Sequence, residues 1–289
     1  MQTPSRRNEP PASKRHHTVP RMLLKRFVDG EGWLHAYTRT QPWRGVYRSR
    51  PEKLMVETHR YSEITDDGRR RPIVEQRLSL LESAAELVIE KMINAARAGI
   101  PPVLTPAELD TWYLFFTIQW KRVPDLHLEI NTDEDALELF TRVIADARER
   151  YPQHAAKIDQ FEEPRMRARL IHNARIGSLA VSTDIMDALR SRGVGIAMVD
   201  RPDKRFILAS RPVIKLTHPG KTDLRHPECE AWLAVAPDVV IGLGRGAGTS
   251  TLVPIGADNV RHLNLAAAGQ STTICGASPR LVKSLARPR

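Results

Sequence analysis

Residues 72–99 read PIVEQRLSLLESAAELVIEKMINAARAG. Within them Val74, Leu78, Leu81, Ala85, Val88 and Met92 recur at steps of three and four, the period of a helix with one apolar stripe. Proline suits the start of such an element and Gly99 stops it, so the spacing predicts a long helix from about Pro72 to Ala98. The next segment repeats the logic with a sharper start. Thr105 is placed to cap, Pro106 sits at the first helical position and Glu108 completes a capping box. That helix should run to about Arg122 and end before Pro124. Thr132 caps a third helix, with Asp133, Glu134 and Asp135 in the turn where the helix dipole favours anions, and the pattern fades near Tyr151. Residues 154–176 are helical but interrupted, and Asp184–Arg192 is a short helix closed by Gly193.

On either side of this helical middle the period changes to that of strands. Upstream, Met22, Leu23 and Phe27 keep helical spacing behind Pro20, and Gly30 and Gly32 then break the chain. Trp33–Thr38 and Val56–Ile64 follow as extended pieces, with a charged turn over Asp66–Arg71. Downstream, Gly195–Asp200 and Arg205–Leu216 flank the turn Arg201–Lys204 as a hairpin would. Ala231–Leu243 and Thr251–Ile255 add strands, Asp258–Ala268 a helix, and Thr272–Cys275 a last strand. The expected fold is therefore α+β: a helix-rich middle packed on an antiparallel or mixed sheet. The C-terminal third supplies most of that sheet and an N-terminal strand pair completes it. Because the early strands need the late ones, residues 16–278 are expected to form one domain. Residues 1–15 are expected as a disordered basic tail and 279–289 as a second basic tail.

The chain has 289 residues, 41% of them hydrophobic, enough for a core without metal or disulfide staples. Its two cysteines, Cys229 and Cys275, match no ligand spacing, which leaves reduced thiols and a cytoplasmic location as the expectation. No apolar run is long enough for a membrane helix, and the basic N-terminus lacks the apolar segment of a secretory signal. The net charge of +10 is concentrated at the ends. Met1–Arg21 holds five cations and one anion, and Pro279–Arg289 holds four cations and no anion, so eight of the ten charges lie there. Such ends solubilise a chain, and can attach it weakly to nucleic acid or another polyanion, but they read no sequence.

Several short motifs recur in a fixed order. They are His17-Thr-Val-Pro20 with Leu24 and Phe27, the strand Leu34–Thr38, and the aromatic Tyr61. After these come Val74-Glu75 with Leu78, Leu81 and Glu82, then Gln119 with Arg122-Val-Pro124, then Phe206–Val213. Together they resemble the domain-of-unknown-function family 4238, over most of residues 16–278. The resemblance implies a fold and a set of polar positions, and no reaction. In one place the chain departs from the family pattern. Arg211 stands in Ser210-Arg211-Pro212 where the pattern has an aspartate, so no role of that aspartate carries over.

The polar positions suggest chemistry by their placement. On a helical wheel Glu75, Glu82 and Glu86 fall within about 40° of one another, on the flank of the apolar stripe. Stacked carboxylates of this kind can hold a divalent cation, act as an acid–base pair of raised pKa, or simply be a solvated flank. Gln119 and Arg122 share a helix face with Trp112 and Phe115. A guanidinium buried there needs a carboxylate, with Glu75 or Glu82 the natural partner. Arg122 then either staples two helices or orients a catalytic group or substrate anion. His17, just ahead of a helix start, can be a base, a metal ligand or a cap. The pair His16-His17 is similar to the opening of an HNH-type nuclease, but the asparagine and second histidine of that fold do not follow at its spacing. The glycines 242, 244, 246 and 248 lack the lysine and helix of a phosphate loop and read as a flexible turn between strands.

Two functions follow, with enzyme status open between them. One is a metal-dependent hydrolase acting on a phosphoester or nucleic acid. His17, Glu75 and Glu82 would be its ligands or base, a divalent metal ion its cofactor, and Gln119 and Arg122 its supporting groups. The other is a non-enzymatic binding or regulatory module contacting nucleic acid or an acidic partner through the basic tails. A third, binding of a small anion without chemistry, uses the same cluster. The hydrolase and small-anion readings both require that His17, Glu75, Glu82 and Arg122 meet in space.

Overall fold

The computed structural model describes residues 14–125, 132–216 and 223–286. The N-terminal part runs β1 (Arg15–His17), α1 (Arg21–Arg26), β2 (Leu34–Thr38), β3 (Tyr47–Ser49), β4 (Val56–Thr58), β5 (Glu63–Ile64) and β6 (Arg70–Arg71). The helical middle is α2 (Ile73–Arg97), α3 (Pro106–Lys121), α4 (Asp133–Arg150), α5 (Ala155–Asp159), α6 (Pro164–Gly177) and α7 (Thr183–Arg190). Both expected caps form: Thr105 makes its capping box with Glu108, and Thr132, expected only as a cap, makes a box with Asp135. The C-terminal part is β7 (Val194–Val199), β8 (Leu208–Ala209), β9 (Val213–Leu216), β10 (Glu230–Ala236), β11 (Val239–Leu243), β12 (Ser250–Ile255), α8 (Ala257–Gln270), β13 (Thr273–Gly276) and α9 (Pro279–Leu285).

The α+β expectation holds, with the sheet divided in two. A five-stranded mixed sheet has the order β12-β7-β11-β10-β9, parallel only between β12 and β7. A four-stranded antiparallel sheet, β3-β2-β13-β8, joins the N-terminal strands to the late ones. Two short ribbons, β1 with β4 and β5 with β6, complete the pairing. Helices α1, α2 and α3 contact the large sheet. The stripe read in the sequence supplies Leu78, Ala85, Val88 and Met92, all buried. Ile89 and Ile93 join Ala85, Val88 and Met92 in a main core that includes Ala231, Leu233 and Val235 of β10.

Three sequence expectations differ from the structure. The hairpin expected across Arg201–Lys204 does not form. β7 pairs instead with β11 and β12, and Arg205–Leu216 divides between the two sheets. Side chains of α8 hold that segment away from β7. Asn264 accepts from the Ile207 amide at 3.0 Å and donates to Arg205 O at 2.9 Å. Gln270 donates to the carbonyls of Arg211 and Val213. Second, Val56–Ile64 does not pair with Trp33–Thr38. The partner of β2 on that side is β3, whose three residues carry no apolar run to announce it. Third, the basic end beginning at Pro279 opens with a helix, α9, in which Val282 and Leu285 are buried. The disorder expected of residues 1–15 lies outside the described residues, apart from Lys14 and Arg15, and Arg15 already belongs to β1.

A polar tie replaces apolar packing at one end of the large sheet. Arg192 is buried, and its guanidinium donates to backbone oxygens of Gly244, Leu224, His226, Cys229 and, at 3.4 Å, Pro227. Gly193 follows with φ of +70°, where a Cβ would stand 2.0 Å from Gly246 O, so only glycine fits. Arg192→Leu leaves those carbonyls without a donor. It should lower stability by about 3 kcal/mol in urea unfolding and speed amide exchange over residues 223–229. Unchanged exchange there would show that the loop is held by other means.

Candidate functional site

The sequence-predicted residues come together where β1, α2 and α3 meet. α3 ends at Lys121, and Arg122 folds its side chain back into the interior, only 1% exposed. One terminal nitrogen donates to Glu82 at 2.6 Å and the other to the backbone oxygen of His17. Its Cζ lies 5.3 Å from the centre of the Tyr61 ring, and the Tyr61 hydroxyl donates to Arg122 O at 2.9 Å. Burial opposes the guanidinium charge, but Tyr61, Glu82 and Glu75 around it outweigh burial and hold its proton firmly. Arg122 therefore joins α2 to the end of α3 through an ion pair, and of its two candidate partners Glu82 is the one it pairs with.

Glu75 lies two turns before Glu82 and has no such donor. Its Oε2 is buried without a hydrogen-bond partner. Burial, with Glu82 nearby, pushes its carboxyl up to about 7 against the opposing pull of Arg122. Charge counting gives the reason. Two carboxylates and one guanidinium hold one surplus negative charge, and a proton on Glu75 relieves it. His16 lies beside that carboxyl: its Nδ1 accepts from the Tyr61 amide at 2.9 Å and stands 3.8 Å from Glu75 Oε2. His16 is fully buried and stacks on Tyr61 with ring centres 5.8 Å apart.

The remaining expected residues are placed less as the sequence suggests. His17 is drawn below its ordinary pKa by burial, and its Nε2 lies 3.0 Å from Pro51 O. Gln119, one turn before Arg122 on the same face, is fully buried, and neither its Oε1 nor its Nε2 has a partner. Arg122 Nε is likewise unpartnered. Among the described residues no group of three or more His, Cys, Asp or Glu side chains is placed to hold a metal ion. The expected ligands have other work: His17 is engaged with Pro51 and Glu82 with Arg122. A hollow of about 60 Å³ opens beside Tyr61 and Arg122, also lined by Arg60 and His172, with room for about two waters.

The sequence missed two contributors. His16 is the residue beside Glu75, and its only signal in the sequence was its place in the pair His16-His17. Asp125, just past Pro124, binds the Thr272 amide at 2.8 Å, the Thr272 hydroxyl at 2.9 Å and the Ser210 hydroxyl, tying the end of α3 to the second sheet. Backbone strain brackets the site. Met55 (φ 53°) and His59 (φ 56°), at the two ends of β4, adopt the left-handed region without being glycine.

The Glu75 carboxyl sets a pH dependence of known sign. Its folded pKa lies above the ordinary 4.5, so the native state keeps a proton that the unfolded chain has lost. The stability from that proton is complete below about 4.5 and is lost as pH rises through about 7. Glu75→Gln should flatten the stability profile between those values. Above them it should exceed the parent by on the order of 1–3 kcal/mol in urea unfolding. Parallel profiles for the two proteins would contradict the raised value.

No curated protein and no solved structure matches the chain. A family model does match, over residues 15–273, and its description is "Protein of unknown function". The match spans β1, the paired-glutamate helix, Arg122 and the Ser210 strand whose contacts are given above, and the chain belongs to that family, DUF4238.

Proposed function

We propose that the cluster is an acid–base centre of a hydrolase that needs no bound metal, with Glu75 carrying the proton. The supporting observation is the set of polar atoms in one cluster that lack partners: Glu75 Oε2, both amide atoms of Gln119, and Arg122 Nε. Buried polar groups are normally paired, and a cluster that leaves several open suits a small polar guest, substrate or water. The Glu75 and Glu82 side chains are each about one-fifth exposed, so the cluster lies close to the surface although Glu75 Oε2 itself is buried. Arg122 would act as a positioning residue: 1% exposed and spent on Glu82, it is not available to a substrate anion.

The test is a panel of esters, phosphoesters and glycosides with and without EDTA. Turnover that persists in EDTA and falls at least about a hundredfold in Glu75→Gln is the expected result. Turnover that EDTA abolishes would restore the metal reading with His17, Glu75 and Glu82. Turnover untouched by Glu75→Gln would remove this carboxyl from the chemistry.

A polyanion-binding module is a second reading, favoured by α9 and its surroundings. Arg205, Arg261 and Arg280 line a hollow of about 620 Å³ together with Asp258, and with Asp203 and Lys204, which pair with each other. Neither Arg261 nor Arg280 has an ion pair among the described residues. The double variant Arg261→Ala, Arg280→Ala should elute from heparin at clearly lower salt with its thermal unfolding unchanged. Identical elution would confine any polyanion affinity to other parts of the chain.

A further inference from the structure

A second cavity, apart from the acid–base cluster, has the form of a ligand site. It lies on the face of the large sheet opposite α2 and has a volume of about 540 Å³, within the range of small-molecule pockets. Its floor follows from strand register. Trp232 of β10 is opposite Gly242 of β11, which is opposite Gly195 of β7. Two neighbouring positions in that row have no side chain, and the indole lies down across them. A Cβ at Gly242 would stand 2.8 Å from the ring, and one at Gly195 would stand 3.3 Å from it. The ring is thus supported from beneath by backbone, and Trp232 lines the cavity.

Polar groups stand around this aromatic floor. Trp232 Nε1 donates to Glu230 Oε2 at 3.0 Å, so the indole is held flat and the carboxylate is held at the cavity edge. Arg245, in the turn after β11, is exposed at the rim and makes no ion pair or hydrogen bond among the described residues. His262 of α8 faces the same space. A broad aromatic face, a free guanidinium, an imidazole and a carboxylate acceptor form a set with one common complement. That complement is a planar ring bearing an amine, joined to an anionic group.

We infer that this cavity binds a nucleotide, its base stacked on Trp232, its exocyclic amine donating to Glu230 and its phosphate on Arg245 and His262. The base-binding half is already ordered, since Trp232 and Glu230 hold each other through a hydrogen bond, while the exposed Arg245 is ordered only when the phosphate arrives. The inference rests on none of the acid–base cluster and stands whether or not Glu75 is catalytic.

Calorimetric titration of the full chain with adenosine 5′-monophosphate is the test. AMP should bind, and adenosine and ribose 5-phosphate should each bind at least about tenfold more weakly, one lacking the anion and the other the ring. Arg245→Ala is exposed and should leave folding intact while weakening AMP about tenfold or more. Trp232→Leu, checked for native circular dichroism, should weaken it similarly. No heat with AMP at millimolar concentration would overturn the inference. So would an Arg245→Ala protein that binds AMP as the parent does, or ribose 5-phosphate binding as tightly as AMP.

Discussion

The guanidinium of Arg122 is the contact on which the arrangement around it depends. A charge buried to that degree is tolerated only if its surroundings are built for it, and three separate parts of the chain take part. β1 gives a backbone oxygen, α2 gives Glu82, and the segment after β4 gives the Tyr61 ring. Removing Arg122 would leave the half-buried Glu82 carboxylate and the His17 carbonyl without their donor at the same time. His17, Glu82 and Arg122, from three of the family-like motifs distant in the chain, thus meet around one ion pair. Asp125 extends the same logic to Ser210 and Thr272, so the later motif strand is anchored to the end of the same helix.

This enclosure also explains why one carboxyl differs from its neighbour. Glu82 has the guanidinium and Glu75 has only proximity to it. In a dry setting the second negative charge has no donor to lean on, and holding a proton is its cheapest state. The asymmetry between two glutamates on one helix flank is therefore set by which of them Arg122 can reach.

Much of the helical architecture was legible in the sequence because its signals are local. Apolar steps of three and four, the Thr105–Glu108 box, the Thr132 cap and the stop at Gly99 are all read within a turn or two of the residues they govern. The meeting of Arg122 with Glu82 was legible for a different reason: a guanidinium on an aromatic helix face has few ways to be neutralised. Strand partners were not legible. Whether Gly195–Asp200 pairs with Arg205–Leu216 or with β11 depends on Asn264 and Gln270, helix residues far along the chain whose reach no local period encodes. The hollow over Gly195 and Gly242 was invisible for the same reason, since each glycine means little until register sets both beside Trp232. His16 and Asp125 gave no periodic signal, and their roles come from geometry alone.

Arg192 grips the segment 223–229 wholly through main-chain oxygens. Carbonyl oxygens belong to every amino acid alike, so the grip makes no demand on which side chains the segment carries. A loop anchored in this way can exchange its outward residues freely while its path stays the same. The border of the sheet-face cavity, where Pro227 sits, is therefore a place where recognition can be rewritten without disturbing the scaffold beneath.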